Sequence, residues 1–189
     1  MKTISEEWRC SFGETPPLGY LCRVDFGDRW LRIHSLPKSK RYPENELEMR
    51  EICRRHNEVA TSVLGLNEQC ILIIGRYSEN PNDGEAIKLS DSSQELLAQP
   101  ELSFQMDEEE DEWMGFWAQR IVWEPGKFDQ LIRDIADEKE ANALFFNPSK
   151  SSVYSPYDGG ADLIMPMSEL VALSKERWSS WLSDREDGL

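Results

Sequence analysis

Histidine is scarce in this sequence, with two among 189 residues, and the glycine motifs that cradle phosphates are missing altogether. There is no G-x-x-x-x-G-K-[ST], no G-x-G-x-x-G, no G-x-S-x-G, no H-E-x-x-H and no EF-hand loop, so the common nucleotide, hydrolase and calcium signatures are excluded. His34 and His56 form no tightly spaced ligand set with the four cysteines at positions 10, 22, 53 and 70, and neither a metal nor another cofactor is expected. No C-x-x-C pair is present and nothing marks a thiol as activated, so the cysteines read as reduced, small apolar side chains. Long apolar runs are lacking too. The longest, residues 70–74, is a quarter of the roughly 20 residues that cross a bilayer. The first seven residues carry no signal-peptide apolar core, which predicts a cytoplasmic protein without membrane contact.

Positive charge is in deficit. Lys and Arg number 21 against 36 Asp and Glu, a net charge of −15. That field repels phosphate backbones and anionic lipid, so direct nucleic-acid binding is not expected. The deficit is uneven, however. From Arg23 to Arg55 nine Lys and Arg stand against six acids, a locally basic stretch in an acidic chain. Hydrophobic residues make up 39%, with seven Trp and seven Phe, enough apolar volume for one core spanning residues 1–189.

Periodicity and punctuation predict an α+β fold: a mixed, mainly antiparallel sheet built from hairpins, with three main helices packed on one face. Residues 19–26 and 29–36 alternate around Gly27-Asp28 and read as a hairpin that sets Arg23 opposite Arg32. Pro43 and Glu44 open a helix that Gly65 ends, with Met49, Ile52, His56, Val59, Ala60 and Val63 on its apolar stripe. Residues 68–77 read as a buried strand, 80–84 as a loop, and Ser92-x-x-Glu95 as the capping box of a short helix over 93–99. Two strands at 101–105 and 114–123 flank an acidic tip at 107–112. A helix then starts at Pro125 with Phe128, Leu131, Ile132 and Ile135 inward. Strands at 142–146, 153–155 and 162–165 follow, and a last helix uses Leu170, Leu173, Trp178, Trp181 and Leu182.

Two segments carry recognition chemistry. Residues 34–43 leave a strand, are pinned by Pro37 and Pro43, and present Lys38, Lys40 and Arg41 on a preset loop. Such a loop grips an anion or docks on the protein's own acids. Residues 154–162 place Tyr157, Asp158 and Asp162 about the Gly159-Gly160 turn, where the aspartates bind a cation, meet a partner's arginine or simply shape a hairpin tip. His56, on its apolar stripe, reads as a core histidine. The candidate binding residues are therefore Arg23, Arg32, His34, Lys38, Lys40, Arg41, His56, Tyr157, Asp158 and Asp162.

The runs Leu36-Pro37-Lys38-Ser39-Lys40-Arg41-Tyr42, Arg55-His56-Asn57, Pro156-Tyr157-Asp158-Gly159-Gly160-Ala161-Asp162 and Trp181-Leu182-Ser183, with the terminal Gly188-Leu189, resemble a family of small uncharacterised bacterial proteins. The resemblance implies a bacterial cytoplasmic protein of unknown function, supplies no catalytic residue, and suggests that the basic loop, the Arg-His-Asn run and the Asp-Gly-Gly turn converge. The expected function is a non-enzymatic binding or interaction protein, of immunity or regulatory type, that meets a protein partner or a small anionic ligand at a basic site. One alternative is an enzyme on a small phosphorylated substrate, with His34 or His56 as acid/base and Asp158 or Asp162 orienting it. Another is a nucleic-acid mimic built on the acidic surface.

Overall fold

A computed structural model describes residues 2–78, 100–107, 112–185 and 188. The predicted loop at 80–84, the helix over 93–99 and most of the acidic tip lie outside the described residues. The α+β class holds, and among the described residues one seven-stranded sheet runs in the order β1-β7-β6-β5-β2-β4-β3. The strands are β1 (Trp30–His34), β2 (Gln69–Ser78), β3 (Leu102–Asp107), β4 (Glu112–Val122), β5 (Ala143–Asn147), β6 (Ser152–Tyr157) and β7 (Gly160–Ile164). Every pairing among the described residues is antiparallel.

Among the described residues five α-helices cover this sheet, on both faces rather than one. Because successive strand residues point to opposite faces, Leu72, Phe145, Tyr154 and Leu163 join one apolar cluster while Ile71, Phe146, Val153 and Ile164 join the other. The first cluster takes α3 (Glu46–Leu64), α4 (Asp129–Ala136) and Trp178, just past α5 (Glu169–Arg177). The second takes α1 (Ile4–Phe12) and α2 (Gly19–Asp25). Both faces of β2 and β5 are therefore buried, which is why their sequences read as continuous apolar runs.

The long helix α3 is set by local chemistry. Asn45 caps it through its side chain, which accepts from the Leu47 and Glu48 amides, and Gly65 (φ 95°) ends it. Its predicted stripe, His56 included, is buried as expected.

Two expectations at the N-terminus are corrected. Residues 19–25 are the helix α2, not a strand, because Leu18, Cys22 and Phe26 fall four apart and pack as one helical row. β1 pairs instead with β7, so Arg32 stands opposite Asp162 rather than Arg23. The helix α1 was not predicted, although its signals are present: a capping box between Thr3 and Glu6, and Ile4, Trp8 and Phe12 buried at i, i+4 and i+8. At the other end Leu173 is 63% exposed. The inward row of α5 runs through Leu170, Ser174 and Trp178, leaving Leu173 off the stripe.

Candidate functional site

The expected convergence of the three sequence runs takes place, and its chemistry is that of a fastening. Consecutive residues of α3 each tie the helix to a different element. Arg55, almost fully buried, donates to the His34 carbonyl at 3.0 Å and to Glu51 at 2.7 Å, with the Trp181 ring 4.9 Å from its guanidinium. His56 is 1% exposed, with Nε2 hydrogen-bonded to Ser35 Oγ and Nδ1 to the Tyr154 hydroxyl, both at 2.7 Å. Asn57 donates to Asp129 and the Cys53 carbonyl and accepts from the Gly126 amide, anchoring the entry to α4. The Asp-Gly-Gly turn completes the fastening. The Ser35 amide donates to the Gly159 carbonyl, and a Cβ on Gly160 would sit 2.0 Å from the Ile33 carbonyl oxygen. Glycine at 160 is what lets β1 approach β7.

Cations from the basic stretch are largely matched by the chain's own acids. Lys40 pairs with Glu44 and Glu48, Arg41 with Asp158, and Arg32 with Asp162. Hydrogen bonds to their carboxylate partners hold Lys40 and Arg41 above their usual range, and the Glu44 amide first, then Lys40, holds Glu48 below its own. Lys38 stands exposed at φ 59° and Arg23 lies 5.8 Å from the Trp30 ring, neither with an ion pair among the described residues. Of the two readings of the loop, an anion grip or docking on the protein's own acids, these ion pairs fit the second.

The groups proposed for proton transfer are constrained. Burial drives His56 down to about 3, so it is neutral at pH 7, and both its ring nitrogens are occupied inside the core. His34 is also lowered, by burial first and then by Arg32 and Arg55, and its Nε2 is buried without a hydrogen bond among the described residues. Burial raises Cys22 and Cys70 to about 12 and Cys53 to about 11, keeping these thiols protonated.

One concavity open to a ligand lies on the α2 face, where β1, β7 and β6 run side by side. Asp162 Oδ1 accepts from Arg32 Nε at 2.9 Å and Trp30 Nε1 at 2.8 Å, while Oδ2 accepts from Arg32 Nη2 at 2.9 Å. The Arg32 guanidinium sits between two aromatic rings, 5.7 Å from Trp30 and 4.9 Å from Tyr157. This charge-balanced pair forms part of a pocket of about 150 Å³. Gly19 and Tyr20 at the start of α2 roof it, and Ser155, Pro156, Tyr157 and Asn142 wall it. Gly19 is required there, since a Cβ would meet Ser155 Oγ at 2.6 Å and hold the helix off the sheet. Tyr20 is 44% exposed beside Tyr77. Asn142 holds a left-handed backbone at φ 55°. Neither its side-chain amide nor the Tyr157 hydroxyl has a hydrogen-bond partner among the described residues.

Of the sequence candidates, Arg32, Tyr157 and Asp162 gather here, whereas Lys40, Arg41 and Asp158 serve the loop fastening and His56 the core. Tyr20, Asn142 and Ser155 were missed. Residue spacing offers no signal for them, because the pocket depends on sheet order. Among the described residues no group of acids, histidines and cysteines is arranged to hold a metal ion, and no helix is long and apolar enough to cross a membrane. Comparison with curated proteins finds no match, and comparison with solved structures finds none either. Residues 18–186 match the family described as a domain of unknown function, DUF3885, and the chain belongs to that family.

Proposed function

We propose that this protein is a non-catalytic binding protein whose recognition site is the pocket between α2 and the β1–β7–β6 end of the sheet. The observation that carries the reading is the pocket itself: Asn142 and Tyr157 offer polar groups with no protein partner among the described residues, under a half-exposed tyrosine. Polar groups that line a concavity and reach solvent there can bond a ligand that enters it. Supporting it further, Arg32, Asp162 and Trp30 interlock into a rigid floor, the preorganisation that recognition needs. The neutral, fully bonded His56 and the protonated buried thiols favour binding over group transfer.

A basic-loop reading is weaker, because an anion there must displace carboxylates already bonded to Lys40 and Arg41. A thermal-shift screen of the full chain against phosphates, nucleotides, sugars and amino acids tests the proposal. At least one class raises the melting temperature of the wild type and fails to do so for Tyr20→Ala. If no class does, or if the shift survives in Tyr20→Ala but vanishes in Lys38→Ala/Arg41→Ala, the proposal is overturned.

A further inference from the structure

The pocket is one end of a longer track across the sheet. Side-chain alternation along the strands puts Tyr157, Tyr77 and Glu112 on the α2 face, the side that also carries Val153, Ile73 and Met114. Strands β6, β5, β2 and β4 are neighbours in that order, and Asn142 leads into β5 with its carbonyl accepting from the Gly75 amide. Tyr157 and Asn142 in the pocket are therefore followed by Tyr77 on β2. Beyond Met114, which pairs with Tyr77, comes Glu112 on β4. Tyr20 joins the two parts. It lines the pocket, and its phenol is raised by burial first, then by Tyr77 and then by Glu112, so both lie close to it. Tyr20 is 44% and Tyr77 56% exposed, and the exposed Glu112 has no ion pair among the described residues.

Size, chemistry and charge together select the occupant. The pocket, about 150 Å³, takes one ring no larger than benzene and lies below the roughly 300 Å³ where sites for whole small ligands begin. The track runs on well past it. Three strand spacings of about 4.8 Å across and four residues of about 3.3 Å along put Glu112 roughly 20 Å from Tyr157. A ring-sized pocket on a track of that length suits one side chain of an extended chain, and at about 3.1 Å per residue some six polyproline II residues cover it. Pro17, Pro156, Tyr20 and Tyr157 line the pocket, and aromatic-lined grooves are the surfaces on which proline-rich segments dock. The backbone carbonyls of such a segment carry no internal hydrogen bonds, and the Asn142 amide and Tyr157 hydroxyl can donate to them. A net charge of −15 repels a second copy of this chain and favours a basic partner, for which Glu112 is the open counter-charge. Resting on the pocket-binding reading above, we infer that the track takes an extended, basic, proline-rich segment of a protein partner. One proline ring fills the pocket, the chain crosses Tyr20 and Tyr77, and a lysine or arginine meets Glu112.

Heteronuclear NMR titration of the full chain tests this with a capped peptide of six prolines bearing two lysines at each end. Two comparison peptides carry alanine for every proline or glutamate for every lysine. The basic proline peptide perturbs the amides of Tyr20, Tyr77, Asn142 and Tyr157, and binds at least tenfold more tightly than either comparison peptide. Tyr77→Ala, which lies outside the pocket, weakens it at least fivefold. Glu112→Gln narrows the preference for lysine over glutamate at least threefold, and thermal melting shows both variants folded. If the alanine peptide binds equally well, charge alone drives association and the inference is overturned. It is overturned equally if the glutamate peptide matches the lysine one, or if no peptide perturbs those amides. In each of these cases a small-molecule thermal shift that is lost in Tyr20→Ala keeps the pocket-binding reading standing, and its absence brings both down.

Discussion

His56 Nδ1 and the Tyr154 hydroxyl are hydrogen-bonded at 2.7 Å, joining the middle of α3 to the middle of β6 inside the core. Ser35 closes the other side of the imidazole at the end of β1, so one side chain ties together a helix, a strand and the start of the basic loop. Removing the Tyr154 hydroxyl leaves a buried ring nitrogen unpaired. Tyr154→Phe is expected to cost about 1–3 kcal/mol in urea unfolding at pH 7, the usual penalty for an orphaned buried polar group. A change within error contradicts the fastening role.

The same histidine sets a pH dependence. Burial holds it at about 3 in the folded protein, whereas an unfolded chain titrates it near 6.5. As pH falls, the unfolded state takes up the proton first, so folding stability is retained above about 6.5 and lost progressively between about 6.5 and 3. The slope contributed is at most about 1.4 kcal/mol per pH unit. His56→Gln is expected to be less stable than wild type at pH 7.5 yet to fall off less steeply between pH 6.5 and 4. Parallel urea midpoints across that range check it, and identical slopes contradict it.

Gly160 and Gly159 separate on sterics. A Cβ at 160 would lie 2.0 Å from the Ile33 backbone oxygen, which cannot move without parting β1 from β7. At 159 the nearest neighbours are side-chain carbons of Tyr157 and Arg41, at 3.2 and 3.3 Å, which shift more readily. Gly160→Ala is expected to cost more than about 3 kcal/mol or to prevent folding, and Gly159→Ala about 1 kcal/mol or less. Chemical denaturation of the two variants tests the contrast.

Much of the scaffold was legible because its signals are local. Asn45, the apolar stripe and Gly65 mark α3, and the unbroken apolar run of β2 reports burial on both faces. The region 19–36 was misread for a reason equally local. Tyr20 and Val24 fall between Leu18, Cys22 and Phe26, so every second residue from 18 to 26 is apolar and a short helix resembles a strand, and no local feature says that β1 pairs across 130 residues with β7. The pocket inherits that difficulty. Its floor joins Arg32 to Asp162 through the register of two distant strands, and its roof needs Gly19 to let α2 settle on Ser155. Charge counting located a basic stretch but not all of its neutralisation, because Asp158 and Asp162, which answer Arg41 and Arg32, come from the β6–β7 turn and β7, far along the chain.

The Arg32–Asp162 pair is expected to behave as a structural floor. Asp162→Asn removes one partner and leaves a guanidinium largely desolvated between two rings, at a cost of about 3 kcal/mol. Arg32→Met/Asp162→Asn together is expected to cost clearly less than the sum of the single changes. A double-mutant cycle from thermal or urea unfolding measures the coupling, and simple additivity contradicts it.

The most direct test of the central claim is a two-dimensional amide spectrum of the labelled full chain, recorded with and without the strongest ligand from the thermal-shift screen. The account predicts that the displaced peaks are those of Gly19, Tyr20, Asn142, Ser155 and Tyr157. Displacement centred instead on Lys38 to Tyr42, with those five unmoved, would contradict it.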